Sequence, residues 1–344
     1  MSNRKRIGII GCGAVTEVCH LPAARNNPNV EITALVDLNL ARARVLAEPF
    51  GAAAYDDYSK LFRSVDGVIV ATPHNLHAGN AIALLEQKVP VLVEKPLALT
   101  ADEARRLIAA SEANRTPAQA AYMYRFCAGA QAVKQAIDSG WLGRLTSFSL
   151  ESGGVYSWPA VSGFYWNKER AGGGVLIDTG SHMLDLLLWW LGEVQELDYR
   201  DDALGGVEAD CEISLTLGSG SQRVEGTVAM SRLRQLSDTA RITGDRYTIE
   251  YDLSSSHTVR IRPTGSPPEE FTFLLQPSKP QRWIDVYAGQ LDAFAMAIAS
   301  RQTPAVSAQS VFPTVALIEQ CYKTRKAVEH EWLGLEPMHC EATR

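Results

Sequence analysis

Val91-Leu92-Val93-Glu94-Lys95-Pro96 is an apolar run that stops abruptly on a carboxylate, an ammonium and a proline. Opened by Pro90, it reads as a buried parallel strand that delivers charge at its carboxyl end. Open α/β sheets bind ligands at that end of their strands. Pro96 disfavours helix at Lys95 and lowers the cost of a cis bond, so the lysine is held in extended or sharply turned backbone. Two readings stand: a fixed lysine poised for chemistry, or a surface Glu-Lys-Pro at a strand end.

Upstream of this strand, Lys5 to Ile10 form an apolar strand pattern followed by Gly11-Cys12-Gly13 and a helical run from Ala14 to about Arg25. Strand, glycines and helix make a phosphate-binding turn: glycine lets the backbone approach a pyrophosphate, and the first helical N–H groups, of Ala14 and Val15, are free to meet it. The fingerprint is incomplete because Thr16 holds the place of its third glycine. A second strand, Val30 to Val36, ends in Asp37 about 25 residues beyond the glycines, where a carboxylate accepts the adenosine-ribose hydroxyls and repels a 2′-phosphate. NAD is therefore expected over NADP. Leu38 and Asn39 offer no cation to a 2′-phosphate, and Arg42 is the one residue that could spoil this preference.

A helix from Leu40 to Pro49, a short strand near Ala53 and the apolar strand Gly67 to Ala71 lead to Thr72-Pro73-His74-Asn75-Leu76-His77, a polar turn at another strand's carboxyl end. Thr72, Pro73, Asn75 and His77 are expected to line the cofactor crevice beside Glu94 and Lys95. The two histidines lack a neighbouring cysteine or carboxylate, so a turn or capping role is favoured and no metal is assigned. Beyond Lys95, Thr100-Ala-Asp-Glu103 is a capping box for a helix running to about Asn114, and Pro117 to Met123 reads as a further strand. Alternation of strands and helices makes residues 1–122 a doubly wound parallel sheet.

The pattern then changes. A helix is expected from Tyr124 to Asp138, then a strand over Arg144 to Glu151. Residues 211–217 alternate apolar and polar strictly, with further strands near 221–230, 239–251, 257–262 and 270–275. That describes a large, mostly antiparallel open sheet, with helices over Arg282 to Ser300 and Ala308 to about Ala327. Residues 123–332 are assigned to this second α/β unit, and 333–344 to a frayed tail.

Chemistry also concentrates in Gly172-Gly173-Gly174-Val175-Leu176-Ile177-Asp178-Thr179-Gly180-Ser181-His182-Met183-Leu184-Asp185. Three glycines permit a close turn into a helix on which 178, 182 and 185 share one face. Near a nicotinamide, Asp178 and His182 could orient a substrate hydroxyl and take its proton, with His182 titrating near neutral pH. The competing readings are a satisfied structural histidine, or a metal site of His182 and Asp185 that lacks a third ligand. Of the nearby aromatics, Phe164 is read as core, and one of Tyr156, Trp158 or Trp166 as a ligand contact. Arg125 either binds substrate or bridges the two units.

A net charge of −6 and the absence of a basic block beyond Arg4-Lys5-Arg6 give no support to a nucleic-acid or anionic-membrane partner. Met183 to Leu191 is too short to span a bilayer and is interrupted by Asp185. No signal peptide is read, and six scattered cysteines without a close pair suit a reducing compartment, so a cytoplasmic protein is expected.

Together these motifs resemble the glucose-fructose oxidoreductase and inositol dehydrogenase (Gfo/Idh/MocA) family, through Gly11-x-Gly13, the loop from Thr72 to His77, Glu94-Lys95-Pro96, and Gly172-Gly173-Gly174 leading to Asp178, His182 and Asp185. The resemblance implies a Rossmann domain followed by an α/β domain, a homodimer or homotetramer built on its sheet, bound NAD or NADP, and Lys95, Asp178 and His182 as the catalytic set. The expected activity is dehydrogenation, or the reverse reduction, at a secondary hydroxyl of a sugar, sugar derivative or cyclitol. Two alternatives are an enzyme that recycles tightly bound NAD within one turnover and a catalytically silent NAD-binding regulatory protein.

Overall fold

The computed structural model describes residues 4–328 apart from 156, 160, 221, 268–272 and 276–279, and residues 273–275 by their backbone alone. The first sheet is wholly parallel, built from β1 (Lys5–Ile10), β2 (Val30–Val36), β3 (Ala53–Tyr55), β4 (Gly67–Val70), β5 (Val91–Val93) and β6 (Ala118–Ala120) in the order β3-β2-β1-β4-β5-β6. Its helices are α1 (Leu21–Arg25), α2 (Leu40–Ala47), α3 (His77–Glu86) and α4 (Ala101–Asn114). β4 and β5 are buried along their whole length, as expected of strands covered on both faces. The strand order reverses between β1 and β4. Such a switch point opens a crevice at the strands' carboxyl ends, flanked here by Gly11 and Thr72.

Next come α5 (Ala128–Asp138), β7 (Leu145–Gly153), α6 (Lys168–Ala171) and α7 (Val175–Leu191), followed by β8 (Glu193–Asp201), β9 (Asp210–Gly218), β10 (Val224–Ser231), β11 (Thr239–Gly244), β12 (Tyr247–Asp252), β13 (Val259–Pro263) and β14 (Phe273–Leu275). The described residues finish with α8 (Trp283–Ser300), α9 (Ala308–Lys323) and β15 (Lys326–Ala327). These strands form a nine-stranded sheet, β14-β13-β12-β11-β7-β10-β9-β8-β15, antiparallel except for β7–β10 and β8–β15. Cys211, Ile213, Leu215 and Leu217 of β9 are buried, while Glu212 and Ser214 face outward. On the outward side Arg241 and Arg262 both reach Glu250, and Arg223 reaches Glu196. No described helix is long and apolar enough to cross a membrane.

Several expected elements are corrected. Residues 239–251 form two strands rather than one, because the chain reverses at Asp245 and Arg246, with Asp245 donating its N–H to the Arg144 carbonyl. The helix expected from Tyr124 is broken at Cys127. The side chain of Gln281 accepts from the Ala128 N–H and donates to the Phe126 carbonyl, satisfying both broken ends. β8 was not expected at all: its apolar residues do not alternate cleanly, and it is held by pairing to β9. The predicted tail at 333–344 lies outside the described residues, as do 270–272 of the strand predicted over 270–275, whose remaining residues are β14.

The late helices close the core of the first sheet. Leu291 and Phe294 of α8 are fully buried against Ile7, Ile9 and Ile69, while Val311 and Val315 of α9 pack with Leu107, Ala118 and Tyr122. A Cβ on Gly67 would stand 2.9 Å from the Phe294 ring, so that ring fills the space β4 leaves open. Replacing Phe294 with alanine is expected to cost about 3–5 kcal/mol. Urea unfolding of the variant measures this. A loss below about 1 kcal/mol would show that the interface collapses into the void or contributes little.

Candidate active site

Local chemistry at the crevice begins with the glycine turn. Gly11 has φ +99°, and a Cβ there would collide with the Ala71 carbonyl, so glycine is required where β1 and β4 diverge. A Cβ on Gly13 would meet nothing within 4 Å, which leaves open space over the turn. Thr16 explains the incomplete fingerprint: buried at the start of a π-helical segment, Thr16–His20, it donates its hydroxyl to the Gly11 carbonyl at 2.6 Å and braces the turn. Asp37 accepts from the Cys12 N–H at 2.8 Å and from the Asn39 N–H at 2.8 Å, which brings its carboxylate against the same turn. Arg42 is committed nearby to the Cys12 carbonyl and, at 2.7 Å, to Glu17. Open space, a glycine hinge and a carboxylate at the end of β2 fit a dinucleotide.

The loop after β4 supports the crevice from behind. His77 is buried, with Nδ1 2.7 Å from the Pro96 carbonyl and Nε2 2.8 Å from the Thr72 carbonyl, so its ring braces the two loops on either side. Thr72 accepts at its hydroxyl from Asn80, while Asn75 is exposed. His74 is also buried. Its Nδ1–H donates to the Ala171 carbonyl at 2.8 Å, and its ring packs edge-on to Phe164 and Tyr165. No cluster of three metal-binding side chains occurs among the described residues.

Lys95 follows β5, and its peptide with Pro96 is cis. Glu94 beside it is buried, accepts from the Lys95 N–H at 3.1 Å and lies 2.8 Å from His20 Nε2. Burial raises the Glu94 pKa, but the His20 hydrogen bond and neighbouring charges outweigh it and hold the carboxyl below its usual range. The Lys95 ammonium donates to the carboxylate of Asp178 and, at 3.1 Å, to that residue's carbonyl. The other carboxylate oxygen of Asp178 accepts from Arg232 at 2.5 Å. Burial opposes the charge on Asp178, yet the two cations prevail and keep it well below the usual carboxylate range.

Why Asp178 stands there is set by the start of α7. Gly172 has φ +85°. A Cβ on Gly173 would strike the Tyr322 hydroxyl, and one on Gly174 the Glu208 backbone. The three glycines therefore let the helix N-terminus press against a buried carboxylate. Glu208 accepts from the N–H groups of Gly174 at 2.7 Å and Leu176 at 3.0 Å, and Tyr322 donates its hydroxyl to the same oxygen. A carboxylate at a helix N-terminus satisfies free donors and opposes the dipole. One turn beyond Asp178, His182 packs its ring against Tyr122 and Tyr124. Its Nδ1 is buried without a hydrogen-bond partner among the described residues. Burial, followed by the charge of Lys95, pushes the imidazole down to about 3. That corrects the expectation of titration near neutrality.

Asp185 is buried in a two-pronged pair with Arg125, at 2.8 and 2.7 Å, and accepts from Thr314 at 3.1 Å. Arg125 also donates to Ser310 and lies over Trp189. Its guanidinium thus ties α7 to α9, and a substrate would have to compete with a buried carboxylate for it. Trp158 and Trp166 are exposed at 37% and 59%, and Tyr156 lies outside the described residues. Phe164 is half-buried against His74 rather than in a core. Tyr165, which sequence reading passed over, is close enough for Asp178 and Glu94 to add to the rise that burial gives its phenol pKa. Arg232, Glu208 and His20 were also missed.

Residues 5–122 match the model of an oxidoreductase family with an NAD-binding Rossmann fold, and residues 130–250 match the GFO/IDH/MocA C-terminal domain. The chain is 31% identical to the rhizopine catabolism protein MocA of Rhizobium meliloti over 239 residues, 67% of this chain and 72% of that protein. It is 28% identical to inositol 2-dehydrogenase of Rubrobacter xylanophilus over 274 residues, 76% of this chain and 72% of the other. A 32% match to D-glucoside 3-dehydrogenase of Escherichia coli covers 56% of this chain and 55% of that enzyme, little more than half its length. Levoglucosan dehydrogenase in complex with NADH has the same fold, with TM-score 0.83 over 93% of this chain and 96% of that one at 18% identity.

His74 carries a pH prediction. Burial, the neighbouring His77 and Lys95 lower it from 6.5 to about 3. Above 6.5 the ring is neutral both folded and unfolded; between 6.5 and about 3 only the unfolded chain takes up the proton, so folding stability falls as pH falls through that window. His74→Gln removes this contribution. Denaturant unfolding across the window should show the wild-type advantage over His74→Gln shrinking towards acid, and a constant difference would contradict it.

Proposed function

The chain belongs to the Gfo/Idh/MocA oxidoreductase family, and from that membership we propose that it is an NAD-dependent dehydrogenase, or the reverse reductase, acting on a secondary hydroxyl of a sugar, sugar derivative or cyclitol. The observation that carries this reading is the meeting of Lys95, from the carboxyl end of β5, with the Asp178 carboxylate one helical turn before His182. A bound nicotinamide supplies the acceptor or donor of hydride. Gly11, Gly13, Ala14 and Val15 would hold the pyrophosphate and Asp37 the adenosine ribose, with Thr72, Pro73 and Asn75 along the crevice wall. Residues 1–122 form the nucleotide unit in this proposal and 123–332 the substrate unit.

The chain's own residues handle the reacting oxygen. Lys95 donates a hydrogen bond to it and stabilises the negative charge that develops there. His182, neutral at working pH, accepts the hydroxyl proton at Nε2. Asp178 fixes the lysine, and Tyr165 closes the site from the side of His74. The five described cysteines are free, which supports a cytoplasmic setting, and the outer face of the second sheet is the surface proposed for a homodimer or homotetramer. Incubating the purified protein with NAD or NADP and a panel of sugars, glycosides and cyclitols, while following reduced cofactor by absorbance, tests the activity. No turnover on any member, with cofactor bound, would count against it.

Two further outcomes are expected. NAD should give the higher kcat/KM, because Asp37 repels a 2′-phosphate and Arg42 is already spent on Cys12 and Glu17. Asp37→Ala should narrow the gap, and a higher kcat/KM with NADP in the wild type would reverse the assignment. The depressed His182 imidazole should leave no limb of its own between about pH 5 and 8. His182→Asn should therefore lower the profile by roughly 10² to 10⁴ without changing its shape. A neutral-pH limb that disappears in the variant would show that the ring titrates there after all.

A further inference from the structure

Asp178 is the meeting point of two cations from opposite parts of the fold. Lys95 follows β5 of the first sheet and occupies Oδ1, whereas Arg232 directly follows β10 of the second and occupies Oδ2. The Arg232 side chain is only 7% exposed, and its backbone N–H is tied to the Ala209 carbonyl at 2.7 Å. With both oxygens engaged, Asp178 makes no hydrogen bond to His182. The carboxylate is held instead in a clamp between the two cations.

This arrangement creates a requirement. For Lys95 to donate to a reacting oxygen, its ammonium must loosen from Asp178, and a buried carboxylate stripped of its only partner is strongly disfavoured. A second cation on the other oxygen removes that obstacle. We propose that Arg232 is a positioning residue that keeps Asp178 paired while Lys95 exchanges the carboxylate for the substrate oxygen. The exchange rests on the dehydrogenase reading above, but the clamp itself does not. Without Arg232, Asp178 has Lys95 as its one strong counter-ion, and the lysine is held back from both substrate and reagents.

The experiment measures the clamp and its consequence separately. Lys95 reactivity is read in the purified full-length protein, without substrate, by trace labelling with acetic anhydride and mass spectrometry of the Lys95 peptide. Arg232→Met should reduce labelling about threefold or more through the stronger hold of the unshared carboxylate, and Arg232→Lys should restore most of it. Unchanged labelling of Lys95 in a folded Arg232→Met protein would overturn the clamp, whatever reaction the protein catalyses. With the best substrate of the panel, Arg232→Met should lower kcat about 10²-fold with a smaller change in KM, and Arg232→Lys should recover part of it. A fall in labelling with kcat unchanged would refute the exchange and leave the dehydrogenase reading intact.

A double-mutant cycle locates the effect. In an Asp178→Asn background Arg232→Met should cost little further, because the residue acts through that carboxylate. An undiminished loss there would mean that Arg232 touches substrate directly, contrary to the proposal. Should Arg232→Met fail to fold, Arg232→Gln and the Asp178→Asn pair give the same comparisons. If the wild type turns over nothing, the activity reading fails while the labelling comparison still decides the clamp.

Discussion

A buried carboxylate shared by two cations is the constraint around which this molecule is arranged. Asp178 needs positive charge within reach, and its partners come one from the end of β5 and one from the end of β10. Neither sheet supplies both. The cluster therefore fixes the two sheets relative to each other at the place where the crevice opens, and His74 reinforces the same junction through the Ala171 carbonyl. Electrostatic ties of this kind are directional, which hydrophobic burial is not. They set the register of α7 against the first sheet more finely than packing alone.

A helix delivering functional groups must itself be held at a defined height. Glu208 does this for α7 by accepting two N–H groups of its first turn, with Tyr322 on the same oxygen, and burial raises the Glu208 pKa despite those bonds. Further along, Asp185 and Arg125 lock the middle of the helix to α9. Asp178 and His182 lie between these two anchors. A site residue held between two such anchors loses little freedom when it engages a ligand, and that is the benefit of preorganisation.

Much of this was legible in the sequence because the relevant signals are local. Apolar runs ending in Gly11, Asp37, Thr72 and Glu94-Lys95 reported parallel strands and their ligand-facing ends, and the Thr100–Glu103 capping box is present as read. The family resemblance rested on those same local motifs. What escaped depends on distance along the chain. Arg232 meets Asp178 across 54 residues, Glu208 meets Gly174 across 34, and His20 meets Glu94 across 74, and no periodicity encodes such pairings. The depressed imidazole of His182 escaped for a related reason: a ring's desolvation depends on what other segments pile onto it. Strand β8 was missed because an edge-proximal strand with acidic residues takes its conformation from its neighbour rather than from its own propensity.

The packing of Leu291, Phe294, Val311 and Val315 onto the first sheet bears on how the chain is made. During synthesis β1 to β6 emerge long before α8 and α9, so the first sheet waits with part of its apolar surface uncovered while some 160 further residues are added. Contacts of such long sequence separation form late and slowly. The ribosome thus releases a chain whose first sheet is sealed when its last described helices fold onto it, so the apolar surface of that sheet stays partly uncovered for most of synthesis.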